Sequence, residues 1–165
     1  MMLGLSLHAV TVLHVVISLI GIVSGLVVLF GLFKSQLMPG VTAIFLITTI
    51  LTNATGFMFP FEKLLPSHII AILSLVLLAI ACFALYGMKL SGAWRAFYLI
   101  TAIASLYLNV FVLVIQGFLK IGPLHELAPS VPPSEPPFAV TQGVILVLFV
   151  ILIIAAVRRF HPARG

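Results

Sequence analysis

Five histidines, three glutamates, one cysteine and a few side-chain amides are what this 165-residue chain offers for chemistry beyond its hydroxyl groups. The glutamates are Glu62, Glu126 and Glu135, and there is no aspartate. Paired-carboxylate hydrolysis, Mg²⁺-assisted phosphate chemistry and acidic Ca²⁺ loops therefore lack their ligands. The run Gly21-Ile-Val-Ser-Gly25 is not a nucleophile elbow, and without an aspartate to orient a histidine, serine hydrolysis is disfavoured. Cys82 is alone, which excludes an intrachain disulfide, and it lies in an apolar run away from every histidine, so it reads as packing. No Gly-rich phosphate loop, CxxC, HExxH or CxxCH occurs. The balance points to a binder rather than an enzyme.

Two chemistries remain. Histidines on facing membrane helices hold haem b axially through neutral imidazole nitrogens, and His14 with His68 is the pair the sequence favours as metal ligands. Their depths differ by roughly 6 Å at about 1.5 Å per residue, which would tilt the haem or substitute His8. Alternatively, His8, His68 and His125 with Glu126 would bind Zn²⁺ or copper at the surface, though no spacing among them matches a dedicated ligand motif. No lysine or carboxylate falls mid-span, so neither a Schiff base nor a carboxylate proton relay has a carrier.

The elements that must position these residues follow from composition. Hydrophobic residues make up 63% of the chain and the mean hydropathy is +1.38, far more apolar surface than one small aqueous core buries. The lipid bilayer is the implied solvent. Apolar runs able to cross about 30 Å of hydrocarbon occur at 7–33, 41–59, 67–88, 94–119 and 138–157. The predicted fold is an all-α, polytopic transmembrane bundle of five helices in a single domain. The breaks carry Lys34 with Pro39-Gly40, then Pro60 to Pro66, then Lys89 to Arg95. The last is a connection over 120–137 holding six of the ten prolines, expected to be extended and stiff, as a cap or a tether.

Of the eight cations, Lys34, Lys89, Arg95, Arg158, Arg159 and Arg164 fall on one side of such a bundle, while Lys63 and Lys120 fall on the other. The positive-inside rule places the amino terminus outside and the carboxyl terminus in the cytoplasm, at the cell (inner) membrane. The net charge of +5 is thus read as topology, with no nucleic-acid partner. The first helix has no basic n-region and no small-residue cleavage pattern, so it is read as retained. Trp94, Phe97 and Tyr98 fit an inner aromatic belt, and Phe57, Phe59 and Phe61 an outer one.

Polar side chains follow helical stripes: Thr11, His14, Ser18, Gly21 and Gly25 in the first helix, Thr49, Asn53, Gly56 and Pro60 in the second, and Thr101, Ser105, Asn109, Gln116 and Lys120 in the fourth. Ser67 is a candidate N-cap of the third helix, and Gln142 lies about one turn inside the fifth. In the assigned topology His14, Asn53, His68, Asn109, Gln116 and Gln142 share the outer half, and His8 and His125 lie beyond them at the interface. These six are the predicted ligand-binding set, forming a polar pocket for a small hydrophobic or redox ligand such as haem b or quinone. The competing expectation is a structural or accessory subunit of a membrane complex, or a homo-oligomer. In that case the amides are interhelical glue and the proline-rich loop is a docking surface.

The segment Tyr107-Leu-Asn-Val-Phe-Val-Leu-Val-Ile-Gln116, continuing through Phe118-Leu-Lys120, Leu127-Ala-Pro129 and Ser134-Glu-Pro-Pro-Phe138 with Gln142, resembles a group of small bacterial multi-pass inner-membrane proteins of uncharacterised role. The resemblance runs over the whole chain, including Leu13-His14-Val-Val-Ile-Ser-Leu-Ile-Gly21 and Leu65-Pro66-Ser67-His68. It implies a bacterial cytoplasmic-membrane location and a helical bundle, and no activity. A more distant likeness, resting on the membrane histidines, is to small four-helix b-type cytochromes.

Overall fold

A computed structural model describes residues 7–34, 36, 38–56, 66–130 and 135–160, with the side chains of 7, 56, 66–68, 119 and 120 excepted. Every element among them is helical: α1 (Leu7–Phe33), α2 (Pro39–Gly56), α3 (Pro66–Cys82), α4 (Trp94–Lys120), α5 (Gly122–Leu127) and α6 (Pro136–Arg159), with one π-helical turn, Phe83–Gly87, continuing α3. Four of them, α1, α3 with its π turn, α4 and α6, are long and apolar enough to cross a membrane. The fifth candidate, α2, is apolar over Pro39–Thr55 but shorter. The anticipated end of the second helix at 57–59, Pro60, the outer aromatic belt, Glu62, Lys63, His161 and Arg164 lie outside the described residues.

Proline sets the starts. Its fixed φ and missing N–H suit the first helical turn, where an N–H has no partner in any case, and Pro39, Pro66 and the Pro136-Pro137 pair each open a helix. By the same device Pro123 starts α5, so 122–127 is a short helix within the stretch the sequence suggested would be extended. The π turn ends in left-handed backbone at Lys89 (φ 50°), Leu90 (φ 60°) and Gly92 (φ 54°). There the Leu90 N–H returns to the Ala84 carbonyl at 2.9 Å, closing the helix end. Gly92 takes its φ at no steric cost, whereas Lys89 and Leu90 adopt it against preference.

The helices alternate in direction. α1 and α2 form an antiparallel pair in constant register, with Gly21 against Thr48 and Thr49, and Gly25 against Phe45. α4 is the hub, packing on α1, α2, α3, α5 and α6. Gly25 is a point of close approach for side chains of two other helices. A methyl group on it would lie 2.7 Å from Leu106 Cδ1 and 2.9 Å from Phe45 Cδ1, inside contact distance, so no larger residue fits without moving the Leu106 or Phe45 side chain.

The main apolar core is not spread evenly along the bundle. It comprises Val28 to Leu32 at the end of α1, Phe45 and Leu46 near the start of α2, Leu78 to Leu85 at the end of α3, Tyr98 to Leu106 in the first half of α4, and Phe149 to Phe160 in the second half of α6. All of these belong to the end that carries Lys34, Lys89, Arg95, Arg158 and Arg159, here called the basic end. Beyond Leu106, by contrast, α4 residues 107–117 are half-buried or, at Leu113, exposed.

Candidate functional site

The opposite end of the bundle holds the polar residues. His14 lies half-buried on α1, and its Nδ1 is 2.7 Å from Thr55 Oγ1 on α2. Thr55 Oγ1 also lies 2.7 Å from the Leu51 carbonyl and 3.1 Å from the Thr52 carbonyl, so the tautomer of the imidazole sets which group donates in the His14 contact.

Asn53, on α2, is used twice by one amide nitrogen. Its Nδ2 donates to the Thr49 carbonyl at 2.8 Å and, across the seam to α3, to Ser74 Oγ at 3.1 Å. Gln142, near the start of α6, donates from Nε2 to the Phe111 carbonyl of α4 at 3.1 Å. Its Oε1 is buried without a hydrogen-bond partner.

Asn109 on α4 reaches the gap left by Gly21. A methyl group at Gly21 would lie 3.2 Å from Thr49 Oγ1, 3.3 Å from Thr48 Oγ1 and 3.4 Å from Asn109 Nδ2, so the three polar groups converge where α1 has no side chain. Thr48 satisfies itself on the Ile44 carbonyl at 2.6 Å. Thr49 Oγ1 and Asn109 Nδ2 are buried with no hydrogen-bond partner, an arrangement that costs free energy in a low-dielectric interior unless something supplies the missing bond.

Of the remaining anticipated site residues, Gln116 is half-buried one turn before the end of α4. His68 falls in the first turn of α3, and its side chain lies outside the described residues; α3 begins at Pro66, one residue earlier than expected, so Ser67 lies within the first turn and not at the N-cap. His8 is exposed. His125, on α5, has its Nδ1 3.2 Å from the Phe118 carbonyl. Among the described residues no three histidine, cysteine or acidic side chains gather as a metal site.

The structure therefore sets the polar residues at separate seams: His14 between α1 and α2, Asn53 between α2 and α3, Asn109 between α1 and α4, and Gln142 between α4 and α6. Other hydroxyls, Thr101 and Ser105 of the α4 stripe among them, turn inward on their own helix. Ser24, Thr52, Thr101 and Ser105 each donate to a carbonyl three or four residues back, which leaves them acting as small residues at close contacts.

Sequence reasoning passed over Thr55 and Ser74, the partners of His14 and Asn53. It also missed Arg95, whose guanidinium donates to the Val157 and Phe160 carbonyls, 2.8 Å each, and so satisfies the otherwise unpaired end of α6. The usable signal was a cation in the first turn of one helix placed on the same side as the last turn of another. At the far end Glu135 accepts from both Ser130 N–H, at 2.9 Å, and Ser130 Oγ, closing the proline-rich connection.

The fold is that of an apolar, all-helical protein compatible with a multi-pass membrane location. Neither a known family, nor a curated protein, nor a solved structure matches the chain.

Proposed function

We propose that this chain is a five-span protein of the cell (inner) membrane, amino terminus outside, whose outer half holds a small hydrophobic ligand. The fifth crossing is α2. At about 27 Å for its 18 residues it is slightly short of the hydrocarbon thickness. Its register along α1, from beside Gly31 to beside His14, carries it through the same depth as a helix that does cross. The orientation rests on the cations of the basic end, which the positive-inside rule assigns to the cytoplasm.

The observation that carries the ligand reading is the pair of buried, unpartnered polar atoms, Thr49 Oγ1 and Asn109 Nδ2, in the half of the bundle where α4 is not fully packed. Asn109 Nδ2 can only donate and the Thr49 hydroxyl has a proton to give, so they suit an acceptor such as a quinone carbonyl. In this reading His14 gives either a hydrogen bond to a ligand hydroxyl or one axial bond to haem b, with His68 as the other ligand. Enzymatic chemistry is not part of this reading.

A second reading, an accessory or structural subunit, is favoured by the interhelical bonds of His14, Asn53 and Gln142, which act as glue between membrane helices. Its partners would be other subunits of a membrane complex or a second copy of the chain.

Absorption spectroscopy of detergent-purified protein, together with quinone analysis of its solvent extract, tests both. The ligand reading expects a haem Soret band or near-stoichiometric quinone, lost in His14→Ala or Asn109→Leu while helical circular dichroism is kept. A colourless preparation free of quinone leaves the accessory-subunit reading.

A further inference from the structure

The basic end carries a second feature, independent of the histidines. The last turns of α3, the π turn and the first turn of α4 enclose an open groove of about 440 Å³ lined by Ala79, Ile80, Phe83, Trp94 and Phe97. That volume falls within the roughly 300–1,000 Å³ of ligand-sized clefts. Its walls are built: Phe83 meets Trp94 edge-on at 5.1 Å between ring centroids, and Trp94 meets Phe97 at 5.4 Å. Ile80, Phe83 and Phe97 stay exposed all the same, so the rings stiffen one another and still present their faces outward.

The turn over 88–93 that joins the two walls carries Lys89, which is exposed and has no acidic residue near it in sequence. Glu126 and Glu135 belong to the opposite end of the bundle, and Glu62 lies outside the described residues. The nearby Arg95 is committed to the α6 carbonyls, which leaves Lys89 as the exposed cation of the turn that joins the groove's two walls. A bilayer offers one molecule with matching chemistry, an acyl chain below a phosphate, and an indole beside a lysine at the end of a spanning helix sits at the depth where the two meet.

We propose that this groove binds an anionic phospholipid, one acyl chain lying along Ala79, Ile80, Phe83 and Phe97, with the phosphate meeting Lys89 at the level of the Trp94 indole N–H. The site rests on the membrane placement of the chain and not on the ligand reading of the opposite half.

Trp94 is the single tryptophan of the protein, so its fluorescence reports from this groove alone. The full chain is reconstituted into phosphatidylcholine vesicles containing graded amounts of brominated phosphatidylglycerol or of brominated phosphatidylcholine, and quenching is followed. The anionic lipid is expected to reach half-maximal quenching at a several-fold lower mole fraction, with the gap narrowing as salt is raised. Lys89→Gln is expected to bring the two curves together, and Ala79→Phe, which fills the groove, to weaken quenching by both; circular dichroism checks that each variant keeps its helices. Coincident curves for the unaltered protein, or a preference that survives Lys89→Gln, overturn the site. No quenching by either lipid overturns the membrane placement of this end and the site with it.

Discussion

The two halves of the bundle are made from the same helices and solve different problems. At the basic end, Leu32, Leu78, Tyr98, Leu99 and Phe160 are fully enclosed, and Gly25 lets Phe45 and Leu106 close on α1. At the histidine end α4 is half-buried or exposed over residues 107–117, and hydrogen bonds between helices pass through His14 and Thr55, Asn53 and Ser74, and Gln142. In the proposed membrane placement apolar burial no longer drives helices together, so close packing holds one half and hydrogen bonds hold the other. The first arrangement tolerates no change of volume. The second leaves polar atoms without partners: Thr49 Oγ1, Asn109 Nδ2 and Gln142 Oε1.

If packing carries the basic end, Gly25→Leu breaks the bundle most severely. The added side chain must displace Phe45 and Leu106, and the expected loss is about 3 kcal/mol, read as a shift in the detergent or SDS unfolding midpoint. A variant that unfolds like the parent would show that α1 and α4 do not approach as described.

Arg95→Met comes next. It removes two charge-assisted bonds and strands the Val157 and Phe160 carbonyls, for roughly 2 kcal/mol, and α6 should become the first element cut by a protease added from the basic side. Retained resistance there would mean that water caps the helix equally well.

The polar half should respond more gently. A double-mutant cycle of Asn53→Leu and Ser74→Ala is expected to give a coupling of about 0.6 kcal/mol, the size usual for amide bonds between membrane helices. A zero coupling would remove Asn53 from the seam.

The smallest effect on stability is expected at Thr49→Val, because its hydroxyl has no partner to lose: a change within about 0.5 kcal/mol, of either sign. The same variant separates the two functional readings. It should lower ligand occupancy if the outer half is a site, and change nothing measurable if that half is glue.

The helical class and the long apolar helices α1 and α4 were legible in the sequence, because long apolar runs bounded by lysine, proline and glycine read as helices able to span a membrane. Gly21 and Gly25 were legible as points of close approach for the same reason: a spacing of four returns to the same face. The short α5 was not, since six prolines outweighed the one position, Pro123, at which proline begins a helix.

Stripe positions alone could not say which hydroxyls are spent. Ser105 and Asn109 are one turn apart on the same face, yet Ser105 bonds its own helix while the Asn109 amide nitrogen has no bond, because only the longer side chain extends across to Gly21. By itself the sequence determined the apolar character, the helical class and the face each polar residue occupies, all properties of a single helix. Partners belong to pairs of helices. Only the tertiary structure decided that His14 meets Thr55, that Arg95 closes α6 and that the tight core stops at Leu106, since each depends on the register in which two helices pack.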